Sequence, residues 1–247
     1  MKNKWLYVIL VLASFIFLYS FYHIISWVID NKNTENQIKI VQDIARDYVD
    51  NMNEDSVGID FKSLQDKNHE VKGWITVLNT NINYPFVQHE NNYHYLTHSF
   101  DKSYNKAGWI FLDYRNDINN LSTNTIIYGH GRVDGTMFGS LKKVLSKDWL
   151  DNPNNYIITL YTDTKKYQFE IFSAYHVMTT DDYLNSDFNS VDEVNEFLKL
   201  VKSRSTFSFP TEVTATDKIL TLSTCYSDIE KMVVHAKLIK QEDFGKN

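Results

Sequence analysis

From about Gly73 onward, the chain alternates short apolar, β-rich runs with clusters of Asn, Asp, Ser and Gly. The runs are "GWITVL", "INYPFVQ", "GWIFLDY", "NTIIYG", "YIITLYT", "YQFEIFSAYHV", "KILTLSTC" and "MVVHAKLI". Eight such runs with polar turns predict a mainly β fold, closed as a barrel or stacked as a sandwich. Within "KYQFEIFSA" the alternation is regular, with Tyr167, Phe169 and Ile171 on one face and Lys166, Gln168 and Glu170 on the other. One helix interrupts the series. "SVDEVNEFLKLVKS" starts with Ser190 as N-cap and Glu193 as its capping-box partner, and Val194, Phe197, Leu198 and Val201 form its buried stripe. This insertion, just ahead of the cysteine run, is expected to form a wall of a binding site.

The N-terminus has another pattern. "WLYVILVLASFIFLYSFYHIISWV" (residues 5–28) contains no Asp, Glu, Lys or Arg. As a helix it would be roughly 36 Å long, enough to cross a bilayer with some tilt. Lys2 and Lys4 precede it, and Asp30, Lys32 and Glu35 follow. That asymmetry predicts a cytoplasmic N-terminus with the bulk of the protein outside. The run is too long for a signal-peptide core and ends without a small-x-small cleavage site, so an uncleaved anchor is expected. His23, inside the span near its outer end, is expected to reach the interface. Beyond the anchor, Ile38, Val41, Ile44, Tyr48 and Met52 recur at helical spacing and predict an amphipathic helix. The expected organisation is an anchor over 1–30, helices over 31–70 and a β domain over 71–247.

Composition adds exclusions. The chain has 247 residues, 43% hydrophobic and 23% charged, with a net charge of -6. That balance offers no electrostatic footprint for nucleic acid. Gly and Pro are too scarce for low-complexity linkers.

The chemistry centres on "ILTLSTCYSD", which holds the single cysteine, Cys225, where an apolar run turns polar. An extracytoplasmic protein with one Cys forms no internal disulfide, so the thiol is buried, paired with another chain or reactive. Reactivity near neutral pH requires a base or a charged partner. Of eight histidines, His69, His89, His94 and His98 fall in polar segments and read as solvated, and His176 ends a strand without further signal. His130 closes "NTIIYGH" at a strand's rim, as Cys225 does, with Gly129 and Gly131 leaving room beside it. His235 lies mid-strand in "KMVVHAKLI", where a packed histidine is expected. Position favours His130. "GHGRVDG" fits neither a dinucleotide nor a P-loop spacing, and no zinc motif is present. No metal or organic cofactor is expected.

"TLSTC" at a strand end, an upstream "YGH...DGTMF" and a single N-terminal anchor together resemble a sortase. "GWITVLNTNINYPFVQ", "NNYHYL", "GWIFLDYRN", the insertion helix and "VVHAKL" resemble class B, over roughly residues 71–240. The resemblance implies a closed eight-stranded β-barrel with N-terminal helices outside it. It implies a thiol-dependent transpeptidase on the outer face of a Gram-positive cell membrane. Cys225 would attack the Thr carbonyl of a C-terminal sorting signal, of Asn-Pro-x-Thr type, in a secreted protein. His130 would protonate the leaving amine. An amine of peptidoglycan, of its lipid-linked precursor or of a pilin lysine would then take the acyl group. Asn92, Leu96, Thr179 and Tyr183 match family positions lining the peptide groove, and Ser223 shares a strand face with Cys225.

One departure stands out. The family places an Arg on the strand after the cysteine, and no Arg follows Cys225 here. Lys231 occupies that place, keeping the charge but losing the planar fork of donors. Arg132 either reaches in instead or is a solvated loop residue. Two other readings stay open: a hydrolytic cysteine peptidase, and a non-catalytic protein that binds sorting signals or pilins.

Overall fold

The computed structural model describes residues 2–49, 59–178, 180–225 and 230–244. Eight strands close on themselves in the order β1-β2-β3-β4-β7-β8-β6-β5. They are β1 (Val71–Val77), β2 (Asn83–Val87), β3 (Phe111–Leu112), β4 (Asn124–His130), β5 (Ile157–Tyr161), β6 (Lys165–Met178), β7 (Ile219–Cys225) and β8 (Glu230–Asp243). Each expected run supplies one strand, and the closed barrel is the architecture adopted. The run "GWIFLDY" contributes only two paired residues. The Asp113 side chain takes the backbone N–H of Arg115 and turns the chain away from the sheet.

Most neighbours are antiparallel, but β2 and β3 run parallel over a single pair and β4 and β7 over their whole length. Parallel neighbours need a long crossover, and the segment between them supplies β5, β6 and the insertion helix α3 (Val191–Arg204). Both strands therefore end at the same rim.

Period-two alternation decides which side chains enter the barrel. Trp74, Phe86, Ile110, Ile127, Ile158, Phe169, Leu222 and Val234 belong to one buried cluster. Each side chain of this size contributes about 1.5–3 kcal/mol by leaving water. In β6 the alternation stops after Ile171, and residues 171–175 are all buried. The cause is α3, which lays Val194, Phe197, Leu198 and Val201 over the outer face, against Phe172, Tyr175 and Val233. Ser190 caps this helix by accepting the Glu193 N–H at 3.2 Å. The Glu193 carboxylate reaches back to the N–H of Asn189 rather than that of the cap.

At the N-terminus, α1 runs unbroken from Lys2 to Val49, where the sequence pattern suggested an anchor and a separate amphipathic helix. No Pro or Gly lies between Val28 and Val49 to end the first. Val41 is fully buried, and Ile38 and Ile44 pack beside it on the barrel core. Met52 lies outside the described residues. A short helix, α2 (Phe61–Lys67), follows, capped by Asp60 through the Ser63 N–H at 2.9 Å.

Candidate active site

The register of three strands assembles the site. His130 on β4 is the direct partner of Cys225 on β7, and Cys225 is the partner of Lys231 on β8. Neighbouring strands lie about 4.8 Å apart. One row across the barrel rim thus holds all three positions, continuing to Val177 on β6. The next row in from the rim is Tyr128, Ser223, Val233 and Tyr175, and its Val233 and Tyr175 face outward beneath α3. Alternation therefore puts His130 and Lys231 on the outer wall, and the backbone of Cys225 lies between theirs in the row.

His130 is half-buried, and its Nε2 lies 2.8 Å from the Leu96 carbonyl oxygen. A short 3-10 turn, His94–Leu96, presents that carbonyl. The glycine that makes room for the imidazole is Gly108, at φ +60°, where a Cβ would come within 2.8 Å of the His130 Cδ2. Gly129, expected for that role, packs instead against the Phe138 ring.

Lys231 is held on the other side. Its Nζ stands 5.9 Å from the Tyr183 ring centroid and 3.7 Å from the Asp181 Oδ1, with the side chain 16% exposed. Tyr183 is itself fully buried, and its hydroxyl meets the Ser223 Oγ at 2.9 Å. Arg132 is not a solvated loop residue. Its guanidinium is clamped by Asp134, Thr136 and Asn31, the last from α1.

A family model described as the sortase domain matches residues 75–239. Sortase B of Staphylococcus aureus (strain NCTC 8325 / PS 47) is 39% identical over 184 residues, covering 73% of this chain and 75% of the relative. Sortase B of Listeria monocytogenes serovar 1/2a is 37% identical over the same length, covering 73% and 74%. The crystal structure of sortase B from B. anthracis in complex with AAEK1 superposes with a TM-score of 0.76 at 38% identity, covering 86% of this chain and 99% of that one.

The chain belongs to the sortase family, class B.

Sortases of this class are cysteine transpeptidases. Among the groove positions, Asn92 has both ends of its amide engaged. Its Nδ2 donates to the Asp113 Oδ2 at 2.9 Å, and its oxygen accepts the Tyr114 N–H at 3.0 Å. Leu96 packs partly against the core and lends its carbonyl to His130. Thr179 lies outside the described residues.

Sequence reasoning missed what fixes these loops. Asp113 is fully buried and takes Arg115 on both oxygens, at 2.8 and 2.7 Å, together with the Tyr128 hydroxyl. Burial opposes its ionisation, but the Arg115 and Tyr128 hydrogen bonds outweigh that and lower its pKa. Arg115 also donates to the Leu184 carbonyl, tying the segment after β6 to this hub. The signal was the "DYR" of "LDYRN", a carboxylate two residues before an arginine in a turn.

His89, His94 and His98, which their polar surroundings suggested were solvated, are half-buried. They stack in a column with centroid spacings of 4.2 and 4.0 Å. Burial, reinforced by its two neighbours, pushes the His94 pKa down. Glu70 sits beside the column, 2.9 Å from the His89 Nδ1. Burial opposes the Glu70 charge, but bonds from Tyr95, His89 and Lys102 prevail and hold it at about 2.

His235 is the packed histidine that its mid-strand place implied. Its Nδ1 lies 2.8 Å from the Thr221 hydroxyl and its Nε2 3.0 Å from the Tyr175 hydroxyl. Complete burial, with a smaller push from Arg204, lowers its pKa to about 3. This sortase keeps His235 neutral inside the wall and leaves His130 at the rim.

Proposed function

We propose that this sortase is a membrane-anchored transpeptidase that cleaves a C-terminal sorting signal after Thr and joins the protein to a cell-wall amine. The observation that carries this reading is the single cross-strand row holding His130, Cys225 and Lys231. The Cys225 thiolate adds to the Thr carbonyl carbon, and the oxygen takes up the negative charge beside the Lys231 ammonium. As the tetrahedral species collapses, the C–N bond breaks, and protonated His130 gives its proton to the departing amine. A thioester remains. The peptidoglycan amine, or that of a lipid-linked precursor, then attacks it, His130 takes the amine proton, and the thiolate leaves.

The Asn92–Leu96 turn borders the peptide on the His130 side, and the buried Tyr183–Ser223 pair underlies the wall on the Lys231 side. An Asn-Pro-x-Thr-like pentapeptide is the proposed signal, by analogy with the class. The apolar stretch of α1 (mean hydropathy 2.3) carries Lys2 and Lys4 before it, which supports a cytoplasmic N-terminus and an extracellular catalytic domain.

The test is to incubate the full chain in micelles with a quenched sorting peptide, with and without an amine acceptor. Ligation that depends on the amine, and is lost in Cys225→Ala and His130→Ala, is the expected result. Release to water alone would instead mark a peptidase. A second reading, binding without cleavage, is favoured by one observation: Lys231 is already occupied by Asp181 and Tyr183. Peptide binding with no cleavage would establish it.

A further inference from the structure

The hydrocarbon core of a bilayer takes about 20 helical residues at 1.5 Å each. A span beginning at Trp5 leaves the hydrocarbon near Ile24, so roughly the next five residues of α1 lie among lipid headgroups. The catalytic domain is fastened to the helix just beyond that level. Asn105 donates to the Thr34 hydroxyl at 3.0 Å and to the Asp30 carbonyl at 3.3 Å. Gln37 donates to Asp101 at 2.8 Å, and Arg132 grips Asn31.

Between helix and domain lies a cavity of about 330 Å³. Its walls bring His23, Ser26 and Trp27 from the helix and Lys106 and Arg132 from the domain, against the single carboxylate of Asp30. Lys106 is exposed. Arg132 uses its Nε and one terminal nitrogen on Asp134, Thr136 and Asn31, and those bonds do not involve its Nη1. Asp134 already pairs with the Arg132 charge, so the cleft offers the exposed Lys106 ammonium together with the Arg132 Nη1 as donors suited to a phosphate diester.

We propose that this cavity binds the phosphate of an anionic phospholipid headgroup, seated between the anchor helix and the catalytic domain. The proposal rests on the reading of α1 as a membrane span. Arg132 lies two residues beyond His130, so an occupied site would brace the end of β4 against the membrane surface.

The test uses the full chain in nanodiscs of equal phosphatidylglycerol and phosphatidylcholine, released for native mass spectrometry. Preferential retention of one phosphatidylglycerol per chain is expected. Lys106→Glu should weaken that retention about fivefold or more, the share of one basic residue at an anionic surface. Lys106→Arg should preserve it. Equal retention of both lipids, or retention untouched by Lys106→Glu, would overturn the proposal. Displacement by millimolar inorganic phosphate would reassign the cavity to free phosphate. Carbonate extraction of the chain from vesicles separates the premises: a chain that washes off ends the membrane reading and this site with it. A chain that stays but shows no lipid preference ends the site alone.

Discussion

The Nε2 of His130 lies 2.8 Å from the Leu96 carbonyl oxygen. A carbonyl only accepts, so Nε2 carries a hydrogen, and the nitrogen that gains and loses a proton is Nδ1. This ring position depends on Gly108, whose φ of +60° and missing Cβ leave space for it. Gly108→Ala strains the backbone by roughly 1–2 kcal/mol and pushes the added methyl into His130. We expect kcat/KM to fall tenfold to a hundredfold, the usual cost of misplacing a reacting group by about 1 Å. Nitrogen NMR of the neutral imidazole should report hydrogen on Nε2; hydrogen on Nδ1 would refute the assignment.

Lys231 rests on the Tyr183 ring, and the ring rather than the hydroxyl makes that contact. Tyr183→Phe should therefore keep kcat within about threefold, whereas Tyr183→Leu loses a cation–π contact worth ~1 kcal/mol and the orientation with it. Lys231→Ala should cost roughly a hundredfold in kcat, as removal of an oxyanion donor does. Lys231→Arg should equal or exceed the parent. With Arg132 clamped by Asp134 and Asn31, undiminished turnover in Lys231→Ala would require a backbone donor.

Asn92, proposed to face the peptide, also holds a loop, because both ends of its amide bond to the Asp113 turn. Asn92→Ala should destabilise the substrate-free protein by about 1–3 kcal/mol. Asp113→Ala, which removes the buried acceptor shared by Asn92, Arg115 and Tyr128, should cost about 3 kcal/mol or more. Denaturant titration measures both. A raised KM with unchanged stability in Asn92→Ala would instead mean a purely direct role with the peptide.

His235 sets an acid limit. Its folded pKa of about 3 lies below the ordinary 6.5, so protonation favours the unfolded chain. The stability it contributes is complete above 6.5 and drains as pH falls towards 3, at about 1.4 kcal/mol per unit. Between pH 6.5 and 4.5, before most carboxylates titrate, a loss of about 2–3 kcal/mol is expected. Urea unfolding across that window should show the slope in the parent and a shallower one in His235→Phe. Equal slopes would place the acid sensitivity elsewhere, for example at His94.

What could be read from the sequence tracks how local the physics is. Strands announced themselves through alternation, and Ser190 and the α3 stripe followed from helix rules, because each depends on neighbours a few residues away. Cys225 and His130 were legible as rim residues for the same reason. Their side-by-side register depends on the β4–β7 crossover, and the family resemblance rather than any spacing pointed there. The stacking of His89, His94 and His98 was hidden because a polar segment can fold back on itself. Asp113 looked like the end of a strand, and only its partners from three separate segments reveal a hub. The glycine beside His130 was misassigned because Gly108 reaches it through space, while Gly129 is only next to it in the chain.

The unbroken α1, bonded to the barrel through Asn31, Thr34 and Gln37, leaves no swivel between its apolar stretch and the catalytic domain. The rim bearing Cys225 works like a tool on a fixed mast. With α1 as the proposed membrane span, a client protein would have to bring its scissile bond to one set elevation and heading, and the length of chain between a sorting signal and its own tether would become part of what is selected.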